Sequence, residues 1–201
     1  MLKFDFGEDR SRGSVNRRAF IGASVSELAG LALWRYRGPE PVQAGVAPTG
    51  QLKMVHIVEF SDAGVRQGVV VVPKIVKSEP EWRKQLSPAA FAVTRKADTE
   101  IAFTGVFWKV HDRGLFRCIC CDTALFSSDT KFDSGTGWPS FWAPIARENV
   151  EELPDYSIGI RTAVSCRRCD AHLGHAFDDG PRPTGLRYCM NSVALRFIKS
   201  A

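Results

Sequence analysis

The six cysteines of this 201-residue chain all lie in its C-terminal half, and the spacing of four of them predicts a metal site. These four form two Cys-x-x-Cys knuckles, Cys118 with Cys121 and Cys166 with Cys169. A two-residue gap lets a tight turn aim both thiolates at one centre, and two such turns supply a tetrahedral shell of four sulfurs. That shell suits Zn²⁺ with every position filled by protein, so we expect one structural zinc ion.

Two other functions are compatible with paired knuckles. They could form a binding module for nucleic acid or protein, or one knuckle could be the redox pair of a general disulfide oxidoreductase. The net charge of +5, from 27 basic and 22 acidic residues, is a weak excess for a nucleic-acid-binding protein, so we expect no nucleic-acid partner. Redox cycling is incompatible with a knuckle occupied by zinc. Neither function gives a role to Cys189.

Cys189 stands apart from the knuckles, just before the alternating apolar run of residues 193–197. A cysteine at the mouth of a strand, two residues from Arg187, is expected to have a depressed pKa and to act as a nucleophile. The alternative is an inert buried thiol. His172 and His175 follow the second knuckle closely and favour the first interpretation, because imidazoles near a thiolate can orient it or donate a proton. They could instead be additional metal ligands.

A glycine- and aromatic-rich segment, residues 133–142 (DSGTGWPSFW), is the third candidate for chemistry. Its two glycines permit a sharp turn, and Trp138 and its aromatic neighbours follow at close range. Aromatic walls beside a thiol suit a small apolar group such as a thioether methyl. Core packing under a loop is the alternative.

The elements that must position these residues are mostly short β-strands. A hydrophobic fraction of 44% with 24% charged residues is typical of a soluble globular domain and excludes a disordered chain or a polytopic membrane protein. Residues 55–58 and 69–72 form two β-rich runs around a turn at 62–64. Ser78 with Glu81 predicts a capped helix, and Ser87 with Pro88 starts a second one. Beyond residue 99 the pattern is β-like, so the expected fold class is mainly β with a few short N-terminal helices.

Residues 1–44 have the features of a targeting segment. The sequence Arg17-Arg18-Ala19-Phe20-Ile21 is similar to a twin-arginine export signal, an apolar run follows, and residues 42–44 (VQA) offer a small-residue cleavage site. An amphipathic helix or an uncleaved anchor is the alternative, but the apolar run is shorter than the roughly 20 residues that span a bilayer. We therefore expect an exported or periplasmic protein without stable membrane association, or a cytoplasmic one if the signal is not used. We expect residues 45–77 to form an N-terminal extension and residues 78–201 to form the domain that carries the candidate catalytic residues.

Four segments together resemble the B-type methionine sulfoxide reductase family, whose shared domain is the SelR domain. They are residues 116–121 (FRCICC), 134–141 (SGTGWPSF), 166–181 (CRRCDAHLGHAFDDGP) and 185–192 (GLRYCMNS). The resemblance extends over roughly residues 79–197. It implies an Mss4-like fold of two antiparallel sheets, a zinc site bound by four cysteines, and reduction of the R epimer of methionine sulfoxide, mainly in oxidised proteins.

The resemblance also implies a role for each site residue. Cys189 would attack the sulfoxide sulfur and become a sulfenic acid, and His172 and His175 would protonate and hold the oxygen. The matching positions that would contact the substrate or order the site are Trp138, Phe177, Asp179, Arg187 and Asn191.

The chain departs from the family at two positions. Many relatives carry a resolving cysteine where this chain has Thr136, so recycling is expected to depend on direct reduction by a thioredoxin-like protein or a small thiol. Cys120 could also resolve the sulfenic acid, although a bystander role is the simpler expectation. Many relatives have an acidic residue at Ala163, to which the sequence assigns no role. A monomer is expected.

Overall fold

The computed structural model describes residues 52–200, which begin with a β-hairpin. β1 (Met54–Phe60) and β2 (Arg66–Pro73) pair antiparallel, with Val58 opposite Val69. Gly64 adopts a φ of +80° in the connecting turn, where its amide donates to the carbonyl oxygen of Ser61 at 3.0 Å. The two β-rich runs and the turn predicted from the sequence are therefore confirmed.

A buried asparagine joins the hairpin to the rest of the protein. The amide group of Asn149, which is fully buried, accepts a hydrogen bond from the Val58 backbone N–H at 2.7 Å and donates to the Val58 carbonyl at 2.8 Å. It also donates to the carbonyl of Ala124 at 2.7 Å. The side chain thus reproduces the pairing that a neighbouring strand would give β1, because it satisfies both backbone groups of one residue.

Two short helices follow the hairpin and have the predicted starts. α1 (Glu79–Gln85) begins after Ser78, whose backbone N–H donates to the Glu81 carboxylate at 2.8 Å. α2 (Pro88–Lys96) begins after Ser87, whose hydroxyl accepts from the Ala90 N–H at 3.2 Å. Trp82 and Leu86 from this region are buried in the core.

The remaining strands form two antiparallel sheets, as the fold-class prediction requires. The larger has the order β5-β6-β10-β9-β8-β7 and the smaller the order β11-β3-β4. The strands are β3 (Gly114–Cys118), β4 (Ala124–Ser127), β5 (Lys131–Phe132), β6 (Ser140–Phe141), β7 (Val150–Asp155), β8 (Arg161–Cys166), β9 (His172–Phe177), β10 (Arg187–Met190) and β11 (Leu195–Lys199). Single-turn 3₁₀ helices occupy Ser128–Thr130, Arg147–Asn149 and Ser192–Ala194.

An aromatic core connects the two sheets. Phe126 of β4 stacks on Phe141 of β6 with ring centroids 4.5 Å apart, and Phe116 of β3 meets Phe141 edge-on at 5.0 Å. All three side chains are fully buried. This packing fixes the position of β6 and of β10, the strand that pairs with it. Among residues 52–200, no helix has the length and apolar character needed to cross a bilayer.

Candidate active site

Cys189 lies near the middle of the larger sheet. Its strand, β10, is flanked by β6 and β9, so that Cys189 is directly opposite Ser140 on one side and His175 on the other. Directly opposite residues of an antiparallel pair share a face of the sheet. The thiol, the Ser140 hydroxyl and the His175 imidazole therefore project to the same side.

A β-bulge brings the second histidine to that face. His172 and His175 are three residues apart in β9, and a regular strand would point them to opposite faces. On β8, Ala163 lies opposite His175. Only two positions further, Ser165 lies opposite His172, so β9 accommodates one extra residue between the histidines. Their rings consequently meet, with centroids 5.2 Å apart.

Gly174, within this bulge, lets β9 approach β10 closely. Its φ is +155°, and a Cβ atom added there would lie 2.1 Å from the carbonyl oxygen of Cys189. Since both the dihedral angle and the space exclude a side chain, the glycine is required by the close approach of the two strands.

A small cavity opens above Cys189. It has a volume of about 140 Å³ and is lined by Thr99, Trp138, Arg161, Gly174, His175, Phe177, Cys189 and Asn191. Binding sites for drug-sized molecules usually measure roughly 300–1,000 Å³, so this cavity has room for a single short side chain. Three larger cavities have neither Cys189 nor a histidine in their lining, and one of them adjoins the Cys189 cavity at Arg161 and Phe177.

The pKa of Cys189 differs from the sequence prediction. Burial raises the pKa of the thiol above its ordinary value, and this effect outweighs the hydrogen bond from Thr136 and the positive charge of Arg187, both of which lower it. The Thr136 hydroxyl lies 3.9 Å from the Cys189 sulfur. The expectation of a depressed pKa was therefore wrong in its net direction, although it identified the effect of Arg187 correctly.

The two histidines have different environments. Burial, followed by the proximity of His175, lowers the pKa of His172 to about 4, so its imidazole is neutral at pH 7. Its Nε2 atom finds no hydrogen-bond partner within residues 52–200. His175 instead contacts a carboxylate, with Nε2 2.8 Å from an Asp155 oxygen. His175 is thus the histidine that lines the cavity and has a fixed ionic partner.

This partner, Asp155, is the last residue of β7, and the sequence did not predict its role. Hydrogen bonds from the hydroxyl and the backbone of Ser157, and then from His175, hold the pKa of the Asp155 carboxyl well below its usual range. Arg161 donates to the same oxygen that contacts His175, at 2.6 Å. No local motif marks Asp155, because it reaches His175 only through the pairing of β7, β8 and β9.

Arg187 and Asp179 lie beside the cavity and are not among the residues that line it. The Arg187 guanidinium makes two hydrogen bonds of 2.8 Å to the Asp179 carboxylate and lies 4.4 Å from the centre of the Phe177 ring. Because Phe177 lines the cavity, Arg187 contacts the cavity wall through that ring. Its positive charge also lowers the pKa of Cys189.

The four knuckle cysteines come together as predicted. Their sulfur atoms all lie within 4.8 Å of one another, and three of the four residues are buried. The sulfur atoms of Cys118 and Cys169 are 3.7 Å apart, and those of Cys121 and Cys166 are 3.5 Å apart. A tetrahedral zinc site with Zn–S bonds of about 2.3 Å has sulfur–sulfur edges of about 3.8 Å, so the arrangement fits a metal ion bound by four thiolates.

Both knuckles have the same backbone turn. The Cys118 N–H donates to the carbonyl of residue 123 and its carbonyl accepts from Asp122; Cys166 makes the same two bonds with residue 171 and Asp170. Asp122 and Asp170 both have positive φ values, 64° and 55°. Aspartate is among the few non-glycine residues that tolerate this conformation, which allows each chain to turn back under its two sulfurs.

Comparison with known proteins is consistent with this geometry. A model of the SelR domain matches residues 86–199. The peptide methionine sulfoxide reductase MsrB of Herminiimonas arsenicoxydans is 54% identical over 125 residues, which cover 62% of this chain and 91% of the relative. That of Thioalkalivibrio sulfidiphilus is 57% identical over 121 residues, 60% of this chain and 88% of the relative. Peptide methionine sulfoxide reductase B1, chloroplastic, of Arabidopsis thaliana is 56% identical over 121 residues, 59% of each chain. The chain therefore belongs to the SelR-domain family.

Proposed function

We propose that this protein is a peptide-methionine sulfoxide reductase that returns the R epimer of methionine sulfoxide in oxidised proteins to methionine, with Cys189 as the nucleophile. The observation that carries the proposal is the position of Cys189, which lines a side-chain-sized cavity together with His175, Trp138 and Asn191. The relatives named above, which are peptide methionine sulfoxide reductases, support the same activity.

The proposed reaction transfers one oxygen atom and two electrons. The sulfur of Cys189 bonds to the sulfoxide sulfur as the sulfoxide oxygen is protonated. The oxygen then moves to the Cys189 sulfur while the new sulfur–sulfur bond breaks, so that methionine leaves and Cys189 becomes a sulfenic acid. Because burial keeps Cys189 a thiol at neutral pH, its proton must move to the oxygen during attack. His175 lies directly across from the thiol and is the residue placed to pass that proton.

The other cavity residues bind and orient the substrate. Trp138 and Phe177 provide apolar walls for the methyl group, and the Asn191 amide offers an N–H to the sulfoxide oxygen. His172, neutral at pH 7, supports His175 by ring contact rather than by donating a proton itself.

Recycling proceeds without a second cysteine in the site. The Thr136 hydroxyl lies 3.9 Å from the Cys189 sulfur and cannot form a disulfide. Cys120 is 5% exposed within the hydrophobic core, which disfavours it as a resolving thiol. Two external thiols, from a thioredoxin-like protein or a small molecule, would therefore reduce the sulfenic acid and release water and a disulfide.

Zinc, bound by Cys118, Cys121, Cys166 and Cys169, would supply folding stability and no open coordination position. The second knuckle leads directly into β9, so this site holds the strand that carries both histidines.

A cysteine-to-serine comparison tests the proposal. The Cys189→Ser variant should lose activity on R-methionine sulfoxide with dithiothreitol, because a serine hydroxyl is a far weaker nucleophile. The Cys120→Ser variant should keep its activity. A sulfenic-acid probe such as dimedone should label the wild type at Cys189 after one turnover without reductant. Full activity of Cys189→Ser would refute the mechanism.

We also propose export of the folded protein by the twin-arginine route. The supporting sequence lies in residues 1–44, outside the described residues. Fusion of this segment to a reporter should direct it to the periplasm, and replacement of Arg17 and Arg18 by lysine should retain it in the cytoplasm.

A further inference from the structure

Glu100 connects several parts of the candidate site without lining its cavity. It lies between α2 and β3, and its two carboxylate oxygens accept hydrogen bonds from the backbone N–H groups of Ser192 at 2.7 Å and Val193 at 3.0 Å. These amides begin the 3₁₀ turn that follows Asn191, where N–H groups lack partners within the turn. The carboxylate therefore ties the Glu100 segment to the end of the nucleophile strand.

The backbone of Glu100 holds two cavity walls. Its N–H donates to the side-chain oxygen of Asn191 at 2.9 Å, and its carbonyl accepts from the indole N–H of Trp138 at 3.0 Å. One residue thus fixes the apolar wall and the amide wall relative to each other.

These contacts also determine which way the Asn191 amide faces. Its nitrogen donates to the carbonyl of Leu173 at 3.0 Å, while its oxygen accepts from Glu100. Only this orientation matches the donor and the acceptor that the backbone offers, so the flipped amide is excluded. One N–H of the amide is thus used by Leu173, and the second N–H is the donor left for a ligand.

The region around Glu100 is closely packed. A Cβ atom on Gly105 would lie 2.4 Å from the Glu100 carboxylate and 2.3 Å from the Ser192 hydroxyl. The Ser192 hydroxyl in turn accepts from the Phe107 backbone N–H at 3.2 Å. The Glu100 carboxylate, although half-buried, therefore packs closely against Gly105.

We propose that Glu100 is a positioning residue that sets the stereoselectivity of the reaction, an inference that rests on the proposed function. A sulfoxide sulfur carries a methyl group, an oxygen and a methylene chain, and its two epimers differ only in which site each substituent reaches. Trp138 suits the methyl group, and the Asn191 N–H suits the oxygen. If these walls shift relative to each other, the rate with the R epimer falls relative to the rate with the S epimer, because misplacement of about 1 Å can cost a hundredfold in rate.

The experiment measures kcat/KM for each epimer of an N-blocked methionine sulfoxide, with dithiothreitol and chiral separation of the remaining substrate. In Glu100→Ala we expect the ratio of kcat/KM for the R epimer to that for the S epimer to fall by at least about tenfold. For the R epimer, kcat should decrease by a larger factor than KM increases. Glu100→Gln should have a ratio between those of Glu100→Ala and wild type, since its single amide oxygen can still accept from the Ser192 N–H but its NH₂ group cannot accept from Val193.

Glu81→Ala is the matched control. Its carboxylate accepts two hydrogen bonds at the start of α1, from the N–H and the hydroxyl of Ser78, but it touches no cavity residue. This variant should change thermal stability without changing the ratio. An unchanged ratio in both Glu100 variants would overturn the inference, whereas a wild type inactive on both epimers would instead refute the proposed function.

A second measurement does not depend on activity. The indole N–H of Trp138, assigned with Trp138→Phe, should be protected from hydrogen exchange in the wild type and exchange at least about tenfold faster in Glu100→Gln, because the loosened segment releases its acceptor. Equal exchange in the two proteins would overturn the inference even if Glu100→Ala does not fold.

Discussion

At the scale of single residues, the protonation of Cys189 is a balance between burial and three polar neighbours. Burial disfavours the thiolate, while Thr136, Arg187 and Ser140 favour it, and burial dominates. The resting protein therefore keeps the Cys189 thiol protonated near neutral pH. A protonated thiol is less exposed to adventitious oxidation, since the thiolate is the form that oxidants attack.

The first prediction concerns the pH dependence of that thiol. Alkylation of Cys189 by iodoacetamide, followed by peptide mass spectrometry, should rise with pH to a midpoint above about 8.5, the ordinary cysteine value. Arg187→Gln removes a charge that favours the thiolate, so the midpoint should move further up. Lys199→Gln, at a distant ion pair with Asp112, should not move it. A midpoint below the ordinary value would contradict the assigned dominance of burial.

A second residue-scale prediction concerns Asp155. Asp155→Asn removes the charge that holds His175, and kcat should fall by about 10- to 100-fold, the range seen for carboxylates that orient metal-bound imidazoles. KM should change little, since Asp155 does not line the cavity. Asp112→Asn, another carboxylate paired with a cation, is the control.

Double-mutant kinetics separates this role from an effect on Arg161, which shares the Asp155 oxygen. If Asp155 acts through His175, the Asp155→Asn change should cost nothing further in a His175→Ala background. Equal losses in the two backgrounds would assign the effect to Arg161 or to stability.

At the scale of elements, the sequence predicted those features that are determined by residues close together in the chain. The two N-terminal strands and both helix starts followed from local runs and caps, such as Ser78 with Glu81. The knuckle cysteines were also predictable, because a two-residue gap alone determines their turn. Cys189 and the histidines were recognised as a group through motifs rather than through periodicity.

Features that depend on strand register could not be predicted in this way. The spacing of His172 and His175 alone implies opposite faces, and only the bulge between β8 and β9 brings them together. Ala163, opposite His175, offers no carboxylate, and Asp155 reaches the ring from the next strand. The net pKa shift of Cys189 was missed because burial is a property of the folded chain.

The element-scale prediction tests the attachment of the hairpin. Asn149→Ala removes three hydrogen bonds and leaves buried backbone groups of Val58 and Ala124 without partners. The free energy of unfolding should fall by about 2–4 kcal/mol, measured by urea titration. Asp62→Asn, at the exposed partner of Arg117 in the same hairpin region, should change it much less. Similar midpoints for wild type and Asn149→Ala would show that packing alone holds the hairpin.

At the scale of the whole molecule, the proposed metal ligands and the proposed nucleophile are different cysteines, and the second knuckle is joined directly to the strand that pairs with the Cys189 strand. The second knuckle ends at Cys169, and β9 starts three residues later with His172. The described part of the N-terminal extension reinforces the same region, since the Ile75 N–H donates to the Arg168 carbonyl at 2.8 Å and Lys74 pairs with Asp170. The knuckle is therefore held from both sides, and its loss should disturb the histidines without touching Cys189 directly.

The last prediction separates the two sets of cysteines by metal content and unfolding. Wild type should contain about one zinc ion per chain, and Cys166→Ser should lose both the metal and the cooperative thermal transition, because structural zinc contributes on the order of 10 kcal/mol to folding. Cys189→Ser should keep both and lose only activity. During titration with a strong chelator, activity and circular dichroism should decline together, since the metal acts through the fold. A metal-free protein that stays folded and fully active would contradict this division, and a chelated protein that stays folded but inactive would place the metal in the chemistry instead.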